Sequence, residues 1–234
     1  MSMSHVVIAV CLIASFFIGG IPFGLILGRM KDDVDIREAG SGNIGTTNAL
    51  RVLGPKIAAA TLLLDCLKGV ACIVASRFVI AWAAFGGDEL QLTPGGPGDH
   101  LLGLVALACV CGHVFSPYLH FRGGKGIAVG LGVLLGWYWP IACALLGLFA
   151  IGVALTRYVS VGSILAALGV PVAVAFAFPY ASISLKLIMS LIGVLIIWAH
   201  RANIKKLISG SESKLSLRGH RCGDGDGDEK GADR

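Results

Sequence analysis

The residues best suited to chemistry are small, polar and glycine-rich, and the first group of them runs from Gly40 to Asn48. Its glycines free the backbone to turn N–H groups inward, and its serine, threonine and asparagine side chains add short hydrogen-bonding groups. Arg51 follows one helical turn later and supplies a cation that can bind a phosphate through two hydrogen bonds. The pattern predicts an anion site; the alternative is a flexible polar loop with a basic interfacial anchor. The candidate residues are Ser41, Asn43, Thr47, Asn48 and Arg51.

A second group runs from Gly123 to Gly126 and contains one cation, Lys125. It resembles a fragment of a P-loop, but a P-loop requires Ser or Thr directly after the lysine, where this chain has Gly126. We therefore exclude nucleotide binding through this motif. Mobile backbone donors and an ammonium at a helix start still suit a phosphate, whereas the alternative is a lysine that only anchors the chain at a membrane surface. The candidates are Gly123, Gly124, Lys125 and Gly126.

Two further groups place polar side chains at helical spacing. Ser160 and Ser163 share one helix face at i, i+3, although serines at a helix start are often only caps. His200 and Asn203 share a face in the same way, and Glu212 follows them. Because a histidine at a membrane border is often merely interfacial, these groups are candidates only in combination with the first two.

Asp65 and Lys68 lie within an otherwise apolar run. Ionised groups are costly there unless they are paired, and a spacing of i, i+3 permits pairing. We expect a structural ion pair near the cytoplasmic border, with a role at the substrate site as the alternative.

The chain contains seven cysteines, six of which fall in apolar stretches. None forms a Cys-x-x-Cys pair with histidine partners at zinc spacing. We expect them to pack as small residues between helices, and we expect neither a metal nor a cofactor.

The composition indicates an integral membrane protein. Of the 234 residues, 56% are hydrophobic and only 14% are charged, whereas soluble domains carry roughly 25% charged residues. Apolar runs long enough to cross a bilayer are separated by breakers. They predict an all-α membrane domain with about seven transmembrane helices, at 5–27, 57–85, 100–118, 126–138, 140–155, 161–178 and 183–199. The fourth and fifth spans are short and meet at an aromatic turn, Trp137 to Pro140.

Positive charge predicts the orientation of these spans. Lys and Arg occur in 28–56, in 119–125 and after residue 199, whereas 86–99 and 178–182 contain neither. Because cytoplasmic loops carry the excess of Lys and Arg, we expect the N-terminus outside and the C-terminus in the cytoplasm. All four polar groups then face the cytoplasm.

The two ends of the chain need separate interpretation. The first apolar run lacks a preceding basic segment and a small-residue cleavage site, so we interpret it as a retained span and not as a signal peptide. We expect one membrane domain over 1–214 and a disordered polar cytoplasmic tail over 215–234. Asp224, Asp226 and Asp228 mimic the start of an EF-hand, but the required glycine and the final glutamate are missing.

Together these groups resemble the bacterial acyl-phosphate:glycerol-3-phosphate acyltransferase family. The resemblance extends from about residue 18 to 214 and is carried by an ordered set of short motifs. They are Gly40-Ser41-Gly42-Asn43-Ile44-Gly45 with Thr47-Asn48 and Arg51, Leu64-Asp65 with Lys68-Gly69, Gly112-His113-Val114-Phe115, Phe121 to Gly126, Thr156 to Ser160, His200-Arg201 with Asn203-Ile204, and Gly210-Ser211-Glu212. One departure is Thr46, where the family usually has alanine.

The resemblance implies an inner-membrane enzyme that moves a fatty acyl group from acyl phosphate to the 1-hydroxyl of glycerol 3-phosphate, giving lysophosphatidic acid for phospholipid synthesis. We expect the backbone of 123–126, with Thr47 and Asn48, to cradle the acyl phosphate, while Ser160 and Ser163 line the pocket and Glu212 braces it. Asn43 is a further expected substrate-binding residue. The expected catalytic set that holds glycerol 3-phosphate is Ser41, Arg51, Lys125, His200 and Asn203. Membrane lipid is the expected surrounding, and nucleic acid is not an expected partner.

Two rival functions make different demands on the sequence. An acyl-CoA-type acyltransferase needs His-x4-Asp, and none of the six histidines has Asp five positions later. A small-anion transporter predicts polar groups deep in several spans and matching halves, and neither is evident. The acyl-chain preference, the oligomeric state and the proton acceptor stay open at this level.

Overall fold

The computed structural model describes residues 2–215, which fold entirely into helices and connecting segments. The α-helices are α1 (Met3–Gly20), α2 (Phe23–Asp32), α3 (Thr46–Leu53), α4 (Pro55–Phe85), α5 (Asp99–Val114), α6 (Ile127–Thr156), α7 (Val159–Ala177), α8 (Ile183–Ala199) and α9 (Arg201–Ile208), with short 3₁₀ helices at Glu89–Leu92 and Pro117–Leu119. Five helical stretches within this range are long and apolar enough to cross a membrane, or six if the bent pair α8–α9 is one span. The predicted Gly/Asp-rich tail, apart from Leu215, lies outside the described residues.

The first predicted span, 5–27, is broken in the structure. α1 ends at Gly20 and α2 begins at Phe23, because Pro22 between them has no N–H and restricts the residue before it. The carbonyl of Ile21, released from the regular helix, accepts a hydrogen bond from Lys68 Nζ at 2.7 Å. The break therefore gives a buried lysine of α4 a partner in the first span.

α6 is interrupted within the aromatic turn predicted at 137–140. Tyr138 has non-helical dihedrals (φ −154°, ψ 93°), and Pro140 cannot donate to a carbonyl of the preceding turn. The carbonyls of Gly136 and Trp137 instead accept hydrogen bonds from the Arg77 guanidinium, each at 3.0 Å.

The interruption reverses the chain. A straight helix of the 30 residues of α6 would be about 45 Å long. Yet Gly126, at its start, lies against Ile196 of α8, and Ser160, just past its end, hydrogen-bonds Glu212 beyond α9. Both ends of α6 therefore lie near the bend between α8 and α9, while Tyr138 packs on Phe178 at the far end of α7.

Glycines bring the central helices into backbone contact. A Cβ added at Gly19 would overlap the Cys109 carbonyl, and one added at Gly132 would overlap the Cys66 carbonyl. Small residues at helix contacts permit this close approach. The pairs α1–α5 and α4–α6 thus form a tightly packed frame beside the polar groups.

Large apolar side chains cover the outside of the long helices. Examples are Trp82, Leu155 and Phe176, each of which is at least three-quarters exposed (77%, 81% and 85%). Apolar residues exposed along whole helices mark a surface that faces lipid. The outer surface therefore agrees with the composition in indicating a membrane protein.

Candidate active site

A cavity of about 370 Å³ opens between α3, the start of α6, the start of α7 and the α8–α9 bend. It brings together residues from all four polar groups, although up to 171 positions separate them in sequence. Twelve of the fourteen candidates line it: Ser41, Asn43, Thr47, Asn48, Arg51, Lys125, Gly126, Ser160, Ser163, His200, Asn203 and Glu212. Gly123 and Gly124 are not among the lining residues.

The first polar group is shaped by Asn48. Its side chain is buried and donates to the carbonyls of Ile36 and Ala39 at 2.7 and 3.2 Å, while its Oδ1 accepts from Ser41 N at 2.8 Å. All three bonds stay within the loop that precedes α3. Asn48 therefore fixes the position of Ser41, and its amide has little capacity left for a substrate.

The N-terminus of α3 points donors into the cavity. The N–H groups of Thr46 and Thr47 belong to the first helical turn, which has no partners within its own helix, and they have none elsewhere among residues 2–215. Arg51 lines the same cavity one turn later. Thr46 Oγ1 is buried without a hydrogen-bond partner in the described residues. The local arrangement suits an anion.

Lys125 is held by a loop that is clamped to the end of α5. Gly123 N donates to Val114 O at 3.0 Å, and Gly124 N donates to His113 O at 2.9 Å. The backbone N–H groups of both glycines are therefore already engaged, which corrects the expectation that they cradle a phosphate. Gly124 also rests on the His113 ring, where any side chain would overlap Nε2. The two glycines position Lys125 instead.

Burial and three neighbouring charges affect the protonation of Lys125. The pKa of its ammonium is lowered to about 8, mainly by burial and also by the nearby positive charges of Arg51 and Lys206, whereas Glu212 acts in the opposite direction. An incoming phosphate would favour the charged form in the same way as Glu212 does. The site is therefore short of negative charge when it is empty.

Glu212 joins the third and fourth polar groups. Its Oε1 accepts hydrogen bonds from Ser160 Oγ at 2.8 Å and from Asn203 Nδ2 at 2.7 Å. Leu215 N donates to Arg157 O at 2.7 Å. Residues 211–215, called the strap below, are thus tied across the starts of α7 and α9, and Ser213 and Leu215 line the cavity as well.

The other two candidates of these groups make local bonds. Ser163 Oγ donates to Val159 O at 2.9 Å, a common use of serine within a helix. His200 is buried, and its Nδ1 lies 2.8 Å from Ile196 O. Because a carbonyl only accepts, Nδ1 carries the proton, and a neutral imidazole then keeps Nε2 as an acceptor.

Sequence reasoning missed His113 as a site residue. The expected Asp65–Lys68 pair is confirmed, with Lys68 Nζ 2.7 Å from Asp65 Oδ1, but Lys68 Nζ also lies 3.2 Å from His113 Nδ1. Asp65 and His113 both line the cavity. The available signal was a histidine inside an apolar run, since ionisable residues there usually have a function.

The cavity changes from polar to apolar along its length. On α7 the lining passes from Ser160 and Ser163 to Val170, and on α8 it passes from His200 to Met189. Both helices present one face to the cavity at helical spacing. The cavity therefore has a charged end, with Arg51, and an apolar end among α6, α7 and α8.

Comparison with known proteins gives consistent matches. Residues 9–210 match the family model described as glycerol-3-phosphate acyltransferase. A glycerol-3-phosphate acyltransferase of Rhodopseudomonas palustris (strain BisB5) is 40% identical over 204 residues, covering 87% of this chain and 94% of the relative. One of Halalkalibacterium halodurans is 41% identical over 212 residues, covering 88% and 94%.

Solved structures agree with the sequence matches. The crystal structure of PlsY, an integral membrane glycerol 3-phosphate acyltransferase, in its glycerol 3-phosphate form superposes with a TM-score of 0.77 at 31% identity, covering 89% of this chain and 96% of that chain. The lysophosphatidic acid form gives a TM-score of 0.75 at 30% identity, covering 90% and 96%.

Proposed function

This chain belongs to the glycerol-3-phosphate acyltransferase family, and we propose that it transfers a fatty acyl group from acyl phosphate to the 1-hydroxyl of glycerol 3-phosphate, giving lysophosphatidic acid for phospholipid synthesis. One observation carries the proposal: a single cavity combines a cationic, donor-rich end with an apolar end. The cationic end suits two phosphorylated groups, and the apolar end suits a fatty acyl chain. An acyl phosphate is the donor that has both features.

We propose seven membrane spans with the N-terminus outside and the site facing the cytoplasm of the inner membrane. The reversal at Tyr138 supports this count, because it divides α6 into two antiparallel spans. The placement of Lys and Arg supports the orientation. Glycerol 3-phosphate is a charged, water-soluble substrate, so a cytoplasmic opening gives it access from the compartment where the positive loops lie.

Each substrate has a candidate set of residues at the charged end. The free N–H groups of Thr46 and Thr47 and the Lys125 ammonium suit the acyl phosphate. The Arg51 guanidinium, with Ser41, His200 and Asn203, suits glycerol 3-phosphate. Asn48 and Glu212 act as positioning residues, since their side chains bind other protein groups.

The reaction does not require a covalent acyl-enzyme intermediate. The 1-hydroxyl oxygen attacks the acyl carbonyl carbon, a new C–O bond forms, the bond between that carbon and the phosphate oxygen breaks, and inorganic phosphate leaves with the hydroxyl proton. The phosphate is a good leaving group, so alignment of the hydroxyl and stabilisation of the oxyanion by fixed donors and Lys125 provide the catalysis. A stable acyl adduct on Ser41 or Ser160 would contradict this route.

The decisive experiment is a direct assay of the purified protein with palmitoyl phosphate and glycerol 3-phosphate, with palmitoyl-CoA as the alternative donor. We expect lysophosphatidic acid from the acyl phosphate and none from the CoA thioester. Lys125→Ala and Arg51→Ala should abolish turnover, whereas Lys186→Ala should not, because Lys186 lies at the start of α8, opposite the site. No product from the wild type, or full activity in both site variants, would overturn the proposal.

A further inference from the structure

We propose that Gly130 determines which acyl chains this enzyme accepts, by keeping open the neck between the charged and apolar ends of the cavity. The inference rests on the proposed acyl transfer and concerns one position in α6. The property that matters at this position is the absence of a side chain.

Gly130 is unusual among the helical glycines of the described residues. At most of them an added Cβ would press on a neighbouring helix or loop, as at Gly69, Gly132 and Gly193, so packing explains the glycine. At Gly130 the added Cβ would meet only Ile196 Cδ1, at 3.6 Å, which is an ordinary contact. Gly130 is nevertheless buried and lines the cavity.

The absence of a side chain at Gly130 has a cost that packing does not explain. Glycine within a helix is less favourable than alanine. Alanine would fit at this position without displacing any atom. The space beside Gly130 is therefore part of the cavity and is not required for close packing of the helices.

The position of Gly130 is where the lining changes character. It lies in the first turn of α6, five residues after Lys125. Ile196, one turn before His200 on α8, lies beside Gly130, since an added Cβ would meet its Cδ1 at 3.6 Å. Beyond this pair the lining residues are apolar, such as Leu134 and Val170. Gly130 and Ile196 lie side by side and form one wall of the neck.

A long acyl chain whose carbonyl carbon reacts near Lys125 must pass the neck to reach the apolar end. A short acyl chain ends before it. A branched side chain at position 130 could not extend toward Ile196, which is already in contact, so it would extend into the cavity and narrow the neck. Long chains would be penalised selectively, while the phosphate contacts would stay intact. A smaller residue at position 196 would restore the width.

The test compares palmitoyl phosphate with butyryl phosphate as donors for the wild type, Gly130→Val and Gly130→Val/Ile196→Ala. We expect Gly130→Val to lower the ratio of kcat/KM for the long donor to that for the short donor by about tenfold or more, because pocket contacts of one or two methyl groups discriminate on this scale. The double variant should recover most of this ratio, and the KM for glycerol 3-phosphate should stay unchanged.

Gly147→Val is the matched control. Gly147 also lies in α6 and has nothing within 4 Å of an added Cβ, but it is exposed on the outer surface. It should behave as the wild type with both donors. Gly130→Ala serves if the valine variant does not fold, and a smaller shift in the same direction is expected.

The outcomes separate the two proposals. Failure of the wild type to use any acyl phosphate would reject the proposed function. Normal wild-type activity with an equal loss of both donors in Gly130→Val, or no recovery in the double variant, would overturn the role of Gly130 alone.

Discussion

The hydrogen bonds of Glu212 give the most demanding test of the site. Oε1 accepts one bond from Ser160 and one from Asn203, at 2.8 and 2.7 Å. A hydrogen bond to a charged group contributes about 1.5–3 kcal/mol, and a neutral acceptor of the same shape contributes roughly half as much. Glu212→Gln should thus lose about 1.5–3 kcal/mol over both bonds. Because Glu212 is half-buried, we expect the lower part of this range, since solvent weakens exposed charge interactions.

The assay is kcat/KM for glycerol 3-phosphate in a double-mutant cycle of Ser160→Ala and Glu212→Gln. At about 1.4 kcal/mol per factor of ten, Glu212→Gln should lower kcat/KM about tenfold. Ser160→Ala removes one of the same two bonds, so the double variant should lose less than the sum, with a coupling of about 1 kcal/mol. Ser190→Ala is the control, because the Ser190 hydroxyl bonds to Lys186 O within α8 and Ser190 does not line the cavity.

Strictly additive losses would refute the reasoning that these side chains act as one unit. A third outcome would indicate covalent catalysis by Ser160. If Ser160 carried the acyl group, Ser160→Ala would abolish turnover whatever residue stands at position 212, and an adduct would be detectable by mass spectrometry.

Three further predictions concern the charged end of the cavity. The lowered pKa of Lys125 predicts that kcat/KM for the acyl phosphate falls above pH about 8, because the ammonium that binds its phosphate is lost there. The kcat should fall only at higher pH, since bound phosphate favours the charged form. Lys125→Arg should remove this alkaline decline, and an unchanged profile would contradict the assignment. Asn48→Leu breaks three hydrogen bonds and should destabilise the protein by about 3 kcal/mol or more; a melting temperature in detergent equal to that of the wild type would show that the loop does not depend on it. Thr46→Val removes a buried hydroxyl that has no hydrogen-bond partner within residues 2–215, and it should stabilise the protein by about 1 kcal/mol. A lower melting temperature would mean that the hydroxyl is bonded in solution.

The apolar spans could be predicted closely because hydropathy alone decides them. The span expected at 183–199 coincides with α8, and that at 57–85 differs from α4 only by the first turn, where Pro55 occupies the helix start. The break at Pro22 was missed, although a proline inside an apolar run carries the signal. α3 was not predicted for a different reason: its eight residues are amphipathic, but they are fewer than the window over which helical periodicity is normally read.

The membership of the site was easier to predict than the individual roles. Twelve of the fourteen candidates line the cavity, since polar side chains in a membrane domain are costly against lipid and collect where they meet water or one another. The roles of Gly123, Gly124 and Asn48 depend on which backbone groups they meet, and those partners are set by tertiary packing. The bond between Ser160 and Glu212 joins residues 52 positions apart, and no local pattern encodes it.

The strap also has a consequence for biogenesis. A ribosome releases the chain from its N-terminus, so Glu212 emerges after every apolar segment has left the tunnel. A nascent chain that ends at residue 208 can already contain all nine helices described above, yet it has no carboxylate to hold Ser160 and Asn203 together. The link between the third and fourth polar groups therefore forms only after the residues of all nine helices have been synthesised, and we expect a chain that ends at residue 208 to be less active than the full chain.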